Sequence, residues 1–334
     1  MTAGGDCPGL NAVIRAVVAR LSADGHRAVG IRDGWEGLME GRTTELTRDH
    51  VRGIIARGGT ILGTSRLDPY VHGDGFISIE RTVRSTGMES LIVVGGDGTL
   101  RTASRLEEEG LPVVGVPKTI DNDIAGTDIT LGYDTAVQIV TDALDRLTTT
   151  AESHNRIIVV EVMGRTAGWI ALGAGLAGGA EAILIPEVTY DLDALSEGIK
   201  RRHAAGKRYS ILVVAEGVPA PQGGVVSAGT DAFGFGRIGG VGSVIAAEVE
   251  ARTGFETRTV VLGHLQRGGI PTAFDRVLGT RLGVAATELA LAGSSGVMVA
   301  LSNGEIVAVP IADACREPRL VPPERHAQAR WFSV

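Results

Sequence analysis

The chain has 334 residues, 44% of them hydrophobic, with 48 Gly and 4% aromatics, a length and composition that suit a large core divided over two lobes of α/β type with many tight turns. A net charge of −7 with no long basic run argues against nucleic acid as a general partner. Cys7 and Cys315, at opposite ends, make no disulfide framework, and without a signal peptide or an apolar run of about 18 residues the expectation is a cytoplasmic protein that does not span a membrane.

The chain opens on a Gly-rich loop, Thr2 to Asn11, that feeds an apolar helical face at Val13, Ala16, Val17 and Leu21. Small residues before a helix start suit a phosphate, and they equally suit a plain tight turn. Such a loop ordinarily follows a strand, and almost nothing precedes it here. The first sheet is therefore expected to be a strand short, through a truncated chain or a start assigned too late, and that places the Gly5 loop in question. Ala28–Ile31 reads as a short strand and Asp33–Gly37 as turn-rich chain. A second small-residue loop ends at Arg66, a planar fork donor for phosphate or a solvated surface cation.

The run 90–94 reads as a strand, followed by Gly95-Gly96-Asp97-Gly98-Thr99 and a helix from about residue 100. Glycines admit an anion to the backbone, and Asp97 can hold Mg²⁺. A buried strand at 113–116 then leads into Pro117-Lys118-Thr119-Ile120-Asp121-Asn122-Asp123. At the carboxyl edge of an α/β sheet, two such carboxylates can divide proton abstraction from orientation or cation binding, and a turn capped by Asx side chains is the competing reading.

Residues 132–147 read as a helix with Ala136, Val137, Val140, Ala143, Leu144 and Leu147 inward. A strand at 157–160 leads to Met163-Gly164-Arg165, which sets Arg165 at a strand end where phosphoryl charge develops. Met163 alone reads as core packing. Strands follow at 182–185 and 210–214, the second ending at Glu216. Residues 217–240 read as a flexible excursion. A helix at 242–252 and a strand at 258–262 lead to the loop Gly263-His264-Leu265-Gln266-Arg267-Gly268-Gly269, whose His and Arg suit a sugar phosphate. A helix from about residue 275 to 291 and a hairpin-like stretch at 296–310 complete the pattern.

Taken together, Gly4-Gly5-Asp6, residues 95–99, residues 117–123, Met163-Gly164-Arg165 and residues 263–269 resemble the bacterial 6-phosphofructokinases. The five motifs occur in that family's order, over about residues 2–322. The resemblance implies two Rossmann-like three-layer lobes with mostly parallel sheets and an active site in the cleft. The implied division is 1–132 plus 266–300 for the phosphoryl donor and 133–265 plus 301–334 for the sugar phosphate. It implies Asp121 as the base toward the 1-hydroxyl of fructose 6-phosphate, Asp97 as the Mg²⁺ holder, Asp123 beside the reacting phosphoryl, Thr119 placing the sugar and Arg165 steadying the transfer. Gly5, Arg66, Gly96, Gly98 and Thr99 match donor contacts, and Met163, Gly164, Glu216, His264 and Arg267 match sugar-phosphate contacts. Arg156 and Arg258 match two arginines that reach a neighbouring subunit's site, which implies a dimer or homotetramer.

The donor is set by positions 98 and 118. Pyrophosphate users of the family carry Asp and Lys there, and ATP users carry Gly at both. Gly98 with Lys118 is mixed, and the space at Gly98 favours ATP over pyrophosphate. At the family's effector pocket Arg15 and Lys207 match, whereas Ala19, Thr148 and Ala205 replace cations, so weak or absent control by ADP and phosphoenolpyruvate is expected. Two rivals stand beside this reading: an NAD or lipid kinase, which shares Gly-Gly-Asp-Gly-Thr, and a sugar-phosphate-binding regulator that has lost catalysis.

Overall fold

The computed structural model describes residues 1–71, 73–230 and 236–329. In chain order the elements begin α1 (Leu10–Ala23), β1 (Ala28–Ile31), α2 (Gly34–Met39), β2 (Thr43–Leu46), α3 (Gly75–Thr86), β3 (Leu91–Gly95), α4 (Asp97–Glu108) and β4 (Val113–Pro117). They continue with α5 (Tyr133–His154), β5 (Ile157–Val162), α6 (Trp169–Ala177), β6 (Ala182–Leu184), α7 (Leu192–Ala204), β7 (Ser210–Ala215), β8 (Ser227–Thr230), β9 (Gly236–Ile238) and α8 (Val241–Thr253). The chain closes with β10 (Thr257–Val261), α9 (Ala273–Leu291), β11 (Val297–Ser302), β12 (Glu305–Pro310), α10 (Ile311–Ala314) and α11 (Pro323–Ala329).

The chain forms two compact units: residues 1–120, 124–135 and 267–318, and residues 121–123, 136–266 and 319–334. In the first, the sheet runs β12-β11-β4-β3, parallel except for the β11–β12 hairpin. The hairpin turns at Asn303 and Gly304, both with positive φ, the backbone a tight two-residue hairpin requires. This pairing keeps residues 301–318 with the first unit, where the expected division had assigned them to the second lobe. β4 is buried along its whole length, as a central parallel strand must be. Helices α1 and α9 approach closely because a Cβ on Gly279 would lie 3.1 Å from that of Ala12, and one on Gly283 2.8 Å from that of Ala16.

Met1 to Ala3 run beside β3 with one parallel bridge, Thr2 to Val94, held by Val94 N–H to Met1 O and Ala3 N–H to Val94 O, both 3.0 Å. Further along that edge Val13, Val17, Leu21, Ile92 and Leu291 border a hollow of about 890 Å³. The Gly5 loop is nevertheless well fixed. Gly4 N–H donates to Ser65 O at 2.9 Å, the Thr64 hydroxyl donates to Gly4 O at 2.6 Å, and Lys118 Nζ donates to Gly5 O.

In the second unit the sheet is fully parallel in the order β10-β5-β7-β6. β5 and β7 are buried throughout, and β5 carries a charge, Glu161. Its carboxylate accepts the Gly240 N–H at 2.8 Å and the Gly242 N–H at 2.7 Å, at the positive start of α8, which satisfies the buried charge. The stretch read as a flexible excursion contains a short antiparallel ribbon, β8 with β9, and its residues 231–235 lie outside the described ones. The stretch read as turns at 33–37 is largely the helix α2. Its glycines are there for closeness: a Cβ on Gly37 would sit 1.7 Å from Arg32 O.

Candidate active site

In the first unit the loops after β3 and β4 meet the Gly5 loop. A Cβ on Gly4 would lie 3.2 Å from Thr99 Oγ1 and 3.5 Å from Lys118 Nζ, and one on Gly5 would lie 2.7 Å from Arg267 Nη1. Arg267 Nη1 also donates to Asp6 O at 3.3 Å, and its Nε is buried without a hydrogen bond among the described residues. Arg66 is close enough to Lys118 for their charges to interact. Gly5, Arg66, Thr99, Lys118 and Arg267 therefore form one basic, glycine-lined cradle. Arg267 takes its place beside the Gly5 loop.

Lys118 is almost fully buried. Burial lowers its pKa to about 8, with Arg267 and Arg66 acting in the same direction and Asp6 opposing. The neighbouring Cys7 thiol is pushed up to about 12, chiefly by burial, so it stays protonated and inert.

Gly96 is the N-cap of α4, and Asp97 and Gly98 open its first turn, where backbone N–H groups lack intrahelical partners. A Cβ on Gly98 would meet nothing within 4 Å, so the space in front of this turn is open. Asp97 is exposed, and both its oxygens accept from Arg101 Nε at 3.0 and 3.1 Å. Arg101 was not legible as a site residue. An exposed pair of this kind is weak and yields readily to a stronger cation. Among the described residues no group of three acidic, His or Cys side chains could cage a metal. A single carboxylate beside a helix start with unpaired backbone N–H groups would fit Mg²⁺ brought in on phosphate oxygens.

In the second unit, Asp121 and Asp123 flank Asn122, which is buried with φ 54°, a left-handed turn that Asn tolerates. Arg319 closes this turn: its N–H donates to Asp123 O at 2.8 Å and its Nη1 to Asn122 O at 3.3 Å. Its guanidinium stacks 4.2 Å over the Trp169 ring, whose Nε1 donates to Arg319 O. Nothing in the local sequence around Arg319 announces this clamp. Thr119, on the first-unit side of the same segment, is held through its carbonyl by the Thr130 hydroxyl at 2.6 Å.

The carboxyl ends of β5, β7 and β10 carry Met163-Gly164-Arg165, Glu216 and His264, and these loops touch. Gln266, fully buried, accepts the Met163 N–H at 3.1 Å through Oε1 and donates to Gly263 O at 3.0 Å. Gly217 N–H donates to Gly164 O at 3.2 Å, and a Cβ on Gly217 would collide with Arg165 O at 2.1 Å. Arg165 and His264 are exposed. Arg156 and Arg258 lie at the other end of this sheet, about 20 Å away by strand length, both paired with Glu256. The unit does not bring them to Met163 and His264.

The architecture is that of an α/β protein with two mostly parallel sheets and glycine loops at the carboxyl ends of their strands. A family model described as phosphofructokinase matches residues 1–290. The pyrophosphate–fructose 6-phosphate 1-phosphotransferase of Amycolatopsis methanolica is 53% identical over 337 residues, covering 99% of this chain and 98% of that protein. ATP-dependent 6-phosphofructokinase 3 of Streptomyces coelicolor is 51% identical over 333 residues, covering 98% and 97%. Among solved structures, Pichia pastoris phosphofructokinase in the T-state matches with a TM-score of 0.84 at 32% identity, over 94% of this chain and 35% of that one. The chain belongs to the phosphofructokinase family, which sets aside the NAD or lipid kinase reading. Among the described residues no helix is long and apolar enough to cross a membrane.

Proposed function

We propose that the protein transfers the γ-phosphoryl group of ATP to the 1-hydroxyl of D-fructose 6-phosphate, giving fructose 1,6-bisphosphate and ADP. The observation that carries the choice of ATP is the open space at Gly98 in the first turn of α4, which admits a nucleotide's phosphate chain. Asp121 takes the proton of the 1-hydroxyl as its oxygen attacks phosphorus, and the bond to the ADP oxygen breaks. Arg165 offsets charge on the transferring group, with Thr119 and Asp123 orienting the reactants. The amides of Gly5, Gly96, Gly98 and Thr99, with Arg66, hold the donor. Met163, Gly164, Glu216, His264 and Arg267 hold the sugar phosphate. Asp97 would hold Mg²⁺, which when bound neutralises charge on the donor phosphates. Transfer of this type rests on positioning and charge stabilisation, which this set of residues supplies. Arg156 and Arg258, remote from Met163 in their own sheet, serve the site of a neighbouring copy in a dimer or tetramer.

Pyrophosphate as donor is the second reading. It is favoured by the buried amine of Lys118 under the Gly5 loop and by the Amycolatopsis relative. Steady-state rates with fructose 6-phosphate and Mg²⁺ decide between them. Turnover with ATP is expected, and turnover with pyrophosphate alone overturns the choice; turnover with neither returns the chain to a binding role. The charge on Lys118 also predicts a pH dependence. Below about pH 8 its amine is protonated and attracts the donor; above that value it is neutral. Donor kcat/KM is therefore expected to fall as pH rises through about 8, and Lys118→Gln should flatten that limb. An unchanged limb in the variant assigns it to another group.

A further inference from the structure

Asp275 is a carboxylate with no exposed surface in the first turn of α9, and no step above uses it. Its own helix is capped by another residue: Thr272 Oγ1 accepts the Asp275 N–H at 3.2 Å. The carboxylate reaches instead to the start of α5. Oδ1 accepts the Gly132 N–H at 2.8 Å, and Oδ2 accepts the Thr135 N–H at 2.9 Å and the Thr135 hydroxyl. The contact is reciprocal, since Thr135 Oγ1 accepts the Thr272 N–H at 3.1 Å and Thr272 Oγ1 donates to Asp134 at 2.6 Å. Burial pushes the pKa of Asp275 up, and the donors from Thr135 and Gly132 pull it back.

The turn that Asp275 fixes is one step from the segment bearing the proposed base. Leu131 N–H donates to Pro117 O at 3.2 Å, Leu131 forms a parallel bridge with Lys118, and the Thr130 hydroxyl donates to Thr119 O. The same turn backs the Gly5 loop: Cys7 Sγ donates to Leu131 O at 3.4 Å, and a Cβ on Gly132 would lie 2.5 Å from that sulfur. Close packing on this side leaves the turn no room to slide when its anchor is removed, so a change there is passed on to residues 117–121.

We propose that Asp275 is a positioning residue, which pins the Gly132–Thr135 turn and through Thr130 and Leu131 sets the placement of Lys118, Thr119 and Asp121. The proposal rests on the reading of Asp121 as base. A merely structural anchor would lower stability and leave the chemistry of folded molecules unchanged.

The test is Asp275→Asn in the full chain, which keeps the shape and turns one acceptor into a donor facing the α5 amides. Amide hydrogen exchange across residues 117–123 is expected to quicken about tenfold or more. In folded protein, kcat should fall about 10- to 100-fold while KM for fructose 6-phosphate stays within about threefold, as misplacement of a reacting group implies. Thr135→Val, which removes one donor, carries the same test if the Asn variant does not fold, and Thr135→Ser should restore both readouts. Unchanged exchange over 117–123, or faster exchange with unchanged kcat, overturns the proposal. If the unmodified chain shows no turnover, the functional reading fails and takes the catalytic half of the proposal with it. Exchange then still decides whether Asp275 sets the segment.

Discussion

Replacing Asp121 by serine is expected to lower kcat by about 10²–10⁴ while fructose 6-phosphate affinity changes by no more than a few fold, since loss of a general base removes a transition-state role. The turn at Asp121–Asp123 is held by Arg319 through the carbonyl of Asn122 and the carbonyl of Asp123, and Thr119 is held through its own carbonyl. Serine retains a side-chain oxygen near the backbone. If Asp121 served only to shape the turn, Asp121→Asn would be the mildest change available, because Asn favours the same geometry. As a base, Asp121→Asn should be as damaging as serine. Calorimetry that finds sugar-phosphate affinity lost in parallel with turnover would contradict the assigned role.

Gly98→Asp is expected to lower kcat/KM for ATP by about 30- to 10³-fold. A carboxylate about 4 Å from a phosphate at a partly screened site costs a few kcal/mol, and Gly98 is exposed, so the lower part of that range applies if solvent penetrates. The folded state should tolerate the change. A Cβ there meets no atom within 4 Å, the backbone φ is not in the left-handed region, and an acidic residue in the first turn of α4 suits the helix dipole. Thermal unfolding should therefore be unchanged or slightly raised, and activity with pyrophosphate should be spared. Equal losses with both donors would point to damage of the loop and remove Gly98 as the discriminating position.

The fold was largely legible because its central strands are mainly apolar runs, β5 carrying the one charged residue Glu161, and each is followed by glycine or a charged loop. The run Val113 to Val116 needs no tertiary information to be read as buried, and the Asn303-Gly304 turn announces its hairpin. The reading was poorest where a residue's reason lies far away in sequence. Gly37 looks like a turn former until Arg32 O is placed against it, so α2 was read as a loop. Arg319 closes the Asn122 turn from 197 residues away, Gln266 ties Met163 from 103 residues away, and Asp275 caps α5 from 140 residues away. Each is a polar group whose partner is a backbone amide or carbonyl, and such bonds leave no periodic mark in the chain. Arg101 was missed for a simpler reason: an (i, i+4) partner of Asp97 on α4 is indistinguishable from ordinary surface pairing. The division into units also turned on a tertiary fact, the pairing of β12 with β11, which a change of composition along residues 296–318 does not reveal.

The most direct test of the central claim is a crystal structure of the full chain with fructose 6-phosphate, Mg²⁺ and a non-hydrolysable ATP analogue. The 1-hydroxyl should lie about 2.6–3.2 Å from the Asp121 carboxylate, with the sugar's phosphate against His264 and Arg267 and the analogue's terminal phosphoryl group facing Arg165. A 1-hydroxyl out of reach of Asp121, in a sugar otherwise bound to those residues, would contradict the account.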